Sequence, residues 1–298
     1  MQCGPLANLV RSENEHKPSP KTRQIANLMD DNVLQDLEGR GMQRVTDYDA
    51  ISSQYDCRYR IRNFKGIEQA LLRFVSSPKS AGPLEVGCGT GHWLDFLSKN
   101  GRIPVGVDPS TNMLLRAREV SSDRALVRGR AENLPFPNGC FDRVFCINAF
   151  HHFADKSAFL FEARRILRPS GGLMTIGLDP HSGQDNWWIY EYFPETVKLD
   201  EERYPPIAEI KAAMGRCGFI GCEVQEVEHI TATLPARLAA SEGLLERGFT
   251  SQLTILSKGE YEAGVSRLNR VIDQAAAKGE DFILTTDLRL FGVFGWVG

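Results

Sequence analysis

The chain has 298 residues, long enough for one large α/β domain with insertions or for two modest domains. With 35 basic against 38 acidic side chains mixed along its length, the net charge of -3 offers no bulk attraction to a nucleic-acid backbone or an anionic membrane. The seven cysteines are scattered and odd in number, which suits reduced cytosolic thiols rather than a disulfide framework.

Residues 11–24 are polar, with prolines at Pro18 and Pro20, and read as a surface arm. No apolar signal core opens the chain, and no run approaches the roughly 18 apolar residues of a membrane span, so the expectation is a soluble cytoplasmic chain. A broken helical stretch spans 25–62, and 66–75 carries Ile67, Ala70, Leu71 and Phe74 at amphipathic spacing. Short apolar runs then alternate with amphipathic helices. The runs are 83–86, 103–107, 125–127, 143–147 and 173–178; the helices are marked by Trp93, Leu94 and Leu97, by Met113, Leu114 and Ala117, and by Phe159, Leu160, Ala163, Ile166 and Leu167. Strands separated by helices of this length imply βαβ units and a parallel sheet covered on both faces. Downstream, 206–217 reads as a helix stopped by Gly218, with strands at 223–231 and 282–297. The segment 235–279 reads as a helical insertion, and the aromatic run 185–193 as another. Cys217 and Cys222 lack a second pair or a histidine cluster, so no metal is expected and buried apolar cysteines are the reading.

Leu84-Glu85-Val86-Gly87-Cys88-Gly89-Thr90-Gly91 ends the first core strand and enters a helix. Three glycines in five residues permit a sharp turn and close approach to a ligand. Asp108, 21 residues after Gly87 at the end of the next strand, suits a carboxylate accepting from both ribose hydroxyls of an adenosine. His92 stands where a dinucleotide fingerprint places its third glycine, which disfavours a nicotinamide-dependent oxidoreductase.

Here the sequence resembles the class I S-adenosylmethionine-dependent methyltransferases, especially the small-molecule enzymes of the ubiquinone and menaquinone biosynthesis type. The resemblance runs from about Tyr48 to Ile176 and rests on five motifs in order. They are Glu85 to Gly91; Gly106-Val107-Asp108-Pro109-Ser110; Gly129-Arg130-Ala131-Glu132-Asn133-Leu134-Pro135-Phe136; Phe141-Asp142-Arg143-Val144 followed by Asn148-Ala149-Phe150-His151-His152; and Leu167-Arg168-Pro169-Ser170-Gly171-Gly172.

The resemblance implies a doubly wound α/β fold: a seven-stranded, mostly parallel, Rossmann-like sheet with an antiparallel last strand and helical caps. It implies S-adenosylmethionine as cofactor and S-adenosylhomocysteine as product. Gly87, Gly89 and Gly91 would pass beneath the methionine part and ribose, Asp108 would bind the ribose hydroxyls and Met113 would pack near the adenine, with Glu85, Cys88 and Pro109 also among the cofactor-binding residues. Ala131 and Glu132 would lie at the adenine amino edge, and Asn148 and Ala149 beside the sulfonium. Tyr48 and Tyr55 match an N-terminal segment that closes over the cofactor in many relatives, with plain helix packing as the alternative. An N-terminal arm and lid helix over 1–45 would precede a domain over 46–298 with caps at about 180–204 and 235–279.

Methyl transfer from a sulfonium needs chiefly an in-line acceptor, with a base where the acceptor carries a proton. His151 and His152 follow the fourth strand at the ligand-binding edge, with His152 preferred as base and structural packing as the alternative. Trp187, Trp188, Tyr190 and Tyr192 lie where this fold commonly builds its acceptor pocket; a ring-lined pocket for a small molecule and the core of a helical cap are equally open readings. The second insertion either completes the cap or makes a homodimer contact. Ala149 and Phe150 replace the prolines of base-methylating enzymes, and no basic stripe compensates, so no nucleic-acid partner is expected. An RNA or protein acceptor, or a non-catalytic cofactor-binding protein, are the remaining alternatives.

Overall fold

The computed structural model describes residues 64–76, 82–120 and 125–298. The lid expected over 1–45, its boundary at 46, and Tyr48 and Tyr55 lie outside the described residues.

Helix α1 (Lys65–Phe74) buries Ile67, Ala70, Leu71 and Phe74, the stripe that the i, i+3, i+4 spacing predicts. Then follow β1 (Leu84–Val86), α2 (His92–Lys99), β2 (Val105–Asp108), α3 (Thr111–Val120), β3 (Ala125–Arg128) and β4 (Phe141–Ile147). Next come α4 (Lys156–Ile166) and β5 (Leu167–Leu178). Strands β1 to β5 pair in parallel in the order β3-β2-β1-β4-β5. Side chains alternate between faces, as a pleated strand requires. On β4, Phe145 and Ile147 join the layer with α1 and Trp93 of α2, while Val144 and Cys146 join the layer with α4.

After β5 the chain leaves the parallel pattern. A two-residue strand β6 (Asn186–Trp187) leads into α5 (Trp188–Tyr192), α6 (Glu195–Arg203) and α7 (Ile207–Arg216). The long strands β7 (Ile220–Pro235) and β8 (Ile283–Trp296) run antiparallel to each other. Strand β8 pairs β5 over 290–296, and β6 pairs it at Asp287 and Thr286. The sheet is therefore mostly parallel with an antiparallel end and holds eight strands, because the first cap contributes β6 to the seven expected. Strand β7 outruns its predicted bounds of 223–231, since residues such as Ala232 and Thr233 pair through their backbones regardless of hydropathy, while β8 falls within its expected 282–297.

The second insertion springs from the far end of this ribbon as α8 (Ala236–Ser241), α9 (Ser251–Thr254) and α10 (Lys258–Ala277). A capping box starts α10: Glu260 N–H donates to Ser257 Oγ at 3.3 Å while Ser257 N–H donates to Glu260 Oε2 at 2.7 Å. Helix α10 packs against the first cap at Gly264, where a Cβ would stand 2.1 Å from Phe193 Cδ1. Gly264→Ala is expected to cost about 1–3 kcal/mol through overpacking, despite alanine's better helix propensity. Urea unfolding of the two chains checks this, and an unchanged or raised midpoint would contradict the close packing.

Candidate functional site

The strand order reverses at β1, whose neighbours are β2 on one side and β4 on the other. In open α/β sheets this switch point, beyond the carboxyl ends of the strands, is where ligands bind. The glycine turn stands there. Gly87 has φ 76°, and a Cβ on it would fall 2.6 Å from Ala149 Cβ, so the loops after β1 and β4 meet at a distance that excludes a side chain. Gly89 and Gly91 also adopt positive φ, at 51° and 79°.

Hydrogen bonds fix this turn from the next strand. Gly87 N–H and Cys88 N–H both donate to Val107 O, at 2.8 and 3.1 Å. The carboxylate of Asp108, itself 8% exposed, accepts from Gly89 N–H at Oδ2 and from Ser110 N–H at Oδ1, both at 2.9 Å. Asp108 thus holds together the two loops that frame the switch point. Ser110 Oγ accepts from Met113 N–H at 3.1 Å and starts α3, burying the Met113 side chain. Glu85 and Cys88 are buried, whereas Pro109 is exposed.

On the other flank, Asn148 takes φ 52°, a left-handed conformation rare for a residue with a side chain, while its N–H donates to Ile176 O at 2.8 Å. Ala131 is buried. Glu132 ties two loops together, its Oε1 accepting from Ala154 N–H at 2.7 Å. The loop after it is clamped by Arg165, which donates to Leu134 O at 3.0 Å, Phe136 O at 2.8 Å and Asn138 Oδ1 at 2.9 Å. Glu162 pairs with Arg165 and accepts from Leu134 N–H at 2.8 Å.

A turn of 3-10 helix, Phe150–His152, follows and lies against the glycine loop through Phe153. His151 is buried and His152 half-buried, with ring centroids 3.8 Å apart. Tyr204 stacks on His151 at 3.8 Å and 16°. Beside them lies a small, largely apolar cavity whose walls include Leu178, Ile207 and Ile210.

The four cap aromatics sit differently. Trp187, Trp188 and Tyr192 are buried in the core cluster shared with β8 and α10. Tyr190 donates its hydroxyl to Asp200 Oδ2 at 2.7 Å. Burial, then the Asp200 charge, pushes the Tyr190 phenol far above its ordinary range. The Cys146 thiol is likewise pushed far up, first by burial and then by Glu85, and is no nucleophile at neutral pH.

Residues 84–175 match the family described as a methyltransferase domain. The chain carries an S-adenosylmethionine-dependent methyltransferase domain. It is 28% identical over 203 residues to the demethylmenaquinone methyltransferase of Thermus thermophilus, covering 58% of this chain and 90% of that protein. Two solved structures share the methyltransferase fold. The YcgJ protein of Bacillus subtilis aligns with a TM-score of 0.52 at 18% identity, covering 77% of this chain and 97% of that one. Phosphoethanolamine N-methyltransferase 2 of Haemonchus contortus, solved with S-adenosyl-L-methionine, aligns at 0.52 and 22%, covering 84% and 57%.

Sequence reading of this methyltransferase missed Tyr204, Asp200 and the Arg165 clamp. Tyr204 follows α6 and carries no periodic signal; only its aromatic character just before Pro205 hinted at a buried turn. The Glu162–Arg165 pair did have a signal, its i, i+3 spacing on a helix.

Hydrogen bonding from Arg165 holds the Glu162 carboxyl below its ordinary value of 4.5. A lowered carboxyl contributes stability that is present above the unfolded value and lost as pH falls through the folded one. Glu162→Gln is therefore expected to lower the melting temperature by a few degrees at most at pH 7, with the gap closing as the pH falls below 4.5. Thermal melts across that range decide it; a gap that does not narrow at all as the pH falls would show that the charge contributes nothing.

Proposed function

We propose that this methyltransferase acts on a small, ring-bearing acceptor in the cytoplasm, with its cofactor seated over the Gly87–Gly91 turn and its acceptor entering beside His152. The observation that carries the cofactor reading is the cradle itself: a positive-φ glycine with no room for a Cβ, on a turn pinned by a carboxylate. When bound, S-adenosylmethionine supplies a methyl group already activated by its sulfonium. The chain's residues bind and orient. Each Asp108 oxygen that accepts one backbone N–H has a second lone pair suited to a ribose hydroxyl. The buried Met113 and Ala131 offer apolar contact to an adenine, and Asn148 and Ala149 border the reacting end.

The acceptor class is supported by the Thermus relative, named for a demethylated quinone and matched over 90% of its length, and by the apolar cavity beside His151. Trp187, Trp188 and Tyr192 are buried in the core cluster and do not line that cavity. Where the acceptor carries a proton on the methylated atom, an imidazole nitrogen of His152 takes it. His152 suits the role better than His151 because it is the more exposed ring of the pair.

Calorimetric titration with S-adenosylmethionine is expected to show saturable binding, weakened about 100-fold or more in Asp108→Ala through the loss of two charge-assisted hydrogen bonds. Wild-type protein that bound only a nicotinamide dinucleotide would refute the reading. With hydroquinone, phenol and amine acceptors, His152→Gln is expected to lower kcat by about 100-fold or more while leaving cofactor affinity unchanged. A kcat within twofold of wild type would remove His152 as base.

A further inference from the structure

A buried polar cluster joins the two caps directly behind the paired histidines. Asp200 of α6 is 0% exposed and Arg203 5%, and the two form an ion pair one helical turn apart. Asp200 Oδ2 also accepts from Tyr190 Oη at 2.7 Å and from Gln252 Nε2 of α9 at 3.0 Å. Desolvation of this kind is costly, and replacing such a pair with apolar residues is often neutral or stabilising, so fold stability alone gives a weak reason for it. A positional role gives a better one.

The cluster converges on Tyr204. Its N–H donates to Asp200 O at 2.8 Å, its carbonyl accepts from His181 Nε2 at 2.8 Å, and its hydroxyl lies 3.4 Å from Gln252 Nε2. The Arg203 guanidinium stands 5.7 Å from the Tyr204 ring centre. Main chain and ring are therefore both fixed, and the ring lies nearly parallel to His151 at 3.8 Å, with the His152 ring next in line, 3.8 Å from that of His151 and tilted 48° to it. Three rings thus run in series from the cap cluster to the edge of the candidate site.

We propose that Tyr204 is a positioning residue: anchored by the Asp200–Gln252 bridge between the two caps, its ring sets the orientation of His151 and, through it, of His152. This rests on the reading of His152 as proton acceptor. A geometry held by second-tier packing matters because small misplacements of a catalytic group cost large factors in rate.

The test compares Tyr204→Leu, which removes the ring, with Tyr204→Phe, which keeps it. Both are first checked for wild-type circular dichroism and S-adenosylmethionine affinity. Histidine ring resonances, assigned with His151→Gln and His152→Gln, are then recorded by NMR. Tyr204→Leu is expected to move the His151 and His152 signals, through loss of ring current and of the fixed orientation, and to lower kcat about tenfold or more with little change in acceptor KM. Tyr204→Phe should restore both signals and most of the turnover. Gln252→Leu, which cuts the bridge but leaves all three rings in place, should shift the same signals more weakly in the same direction. Histidine signals unmoved by Tyr204→Leu, or an equal loss in Tyr204→Phe, would overturn the proposal. The NMR comparison needs no acceptor, so it decides the matter even if the wild-type chain methylates nothing in the panel, a failure that would fall on the proposed acceptor class instead.

Discussion

Two loops meet at the reversal of the strand order with no room for a side chain between them, and the candidate site depends on that contact. Gly87 and Ala149 follow strands that are neighbours in the sheet but separated by two strands and two helices in the chain. The approach is enforced from beneath by Val107 O and from the side by Asp108, whose carboxylate ties the glycine loop to the start of α3. One carboxylate can serve both the architecture of the turn and recognition of a ligand, because each oxygen accepts more than one hydrogen bond. The residues that shape this cradle are therefore also those best placed to contact what fills it.

Beyond the parallel sheet the organising forces change. In the core, alternating Val, Ile, Phe and Leu bury both sheet faces, and nonspecific burial suffices to seat the helices. In the caps, direction comes from polar groups out of water. Burial pushes the Asp200 carboxyl upward, while Arg203, Tyr190 and Gln252 pull it back. Such a cluster specifies one arrangement of α6 against α9, because any other would strand a charge.

The alternation of strand and helix was legible because hydrophobic period and glycine turns are local. The five core strands and the helices α1 to α4 fall close to where the pattern puts them, and Gly87, Gly89 and Asp108 come together as their spacing implies. The S-x-x-E of Ser257 and Glu260 carries a start signal for α10 that the sequence reading left unused. The cap was not legible in the same way. Nothing in the run around Trp188 tells a ring facing a pocket from a ring facing α10; that depends on Gly264, more than 70 positions away. The contacts of Tyr204 are likewise set by partners at His151 and Gln252, about 50 residues off on either side. Local pattern predicts which elements form, while the choice of contact between distant elements waits on the assembled fold.

The second insertion leaves and re-enters the β7–β8 ribbon at one point, Ala236 N–H donating to Phe282 O at 2.8 Å. A segment whose two ends are already a hydrogen bond apart closes the same short gap whatever lies between, and loop-closure entropy rises only slowly with length. The 45 or so residues from 237 to 281 thus form a cassette hung from that one point of the ribbon, with Leu244, Phe249, Leu253 and Leu268 packed into the same core as β8. Because Gln252 travels within it, an exchange of that cassette would also change what holds α6 in place, so the segment hung from a single point is mechanically joined to the part closest to the histidines.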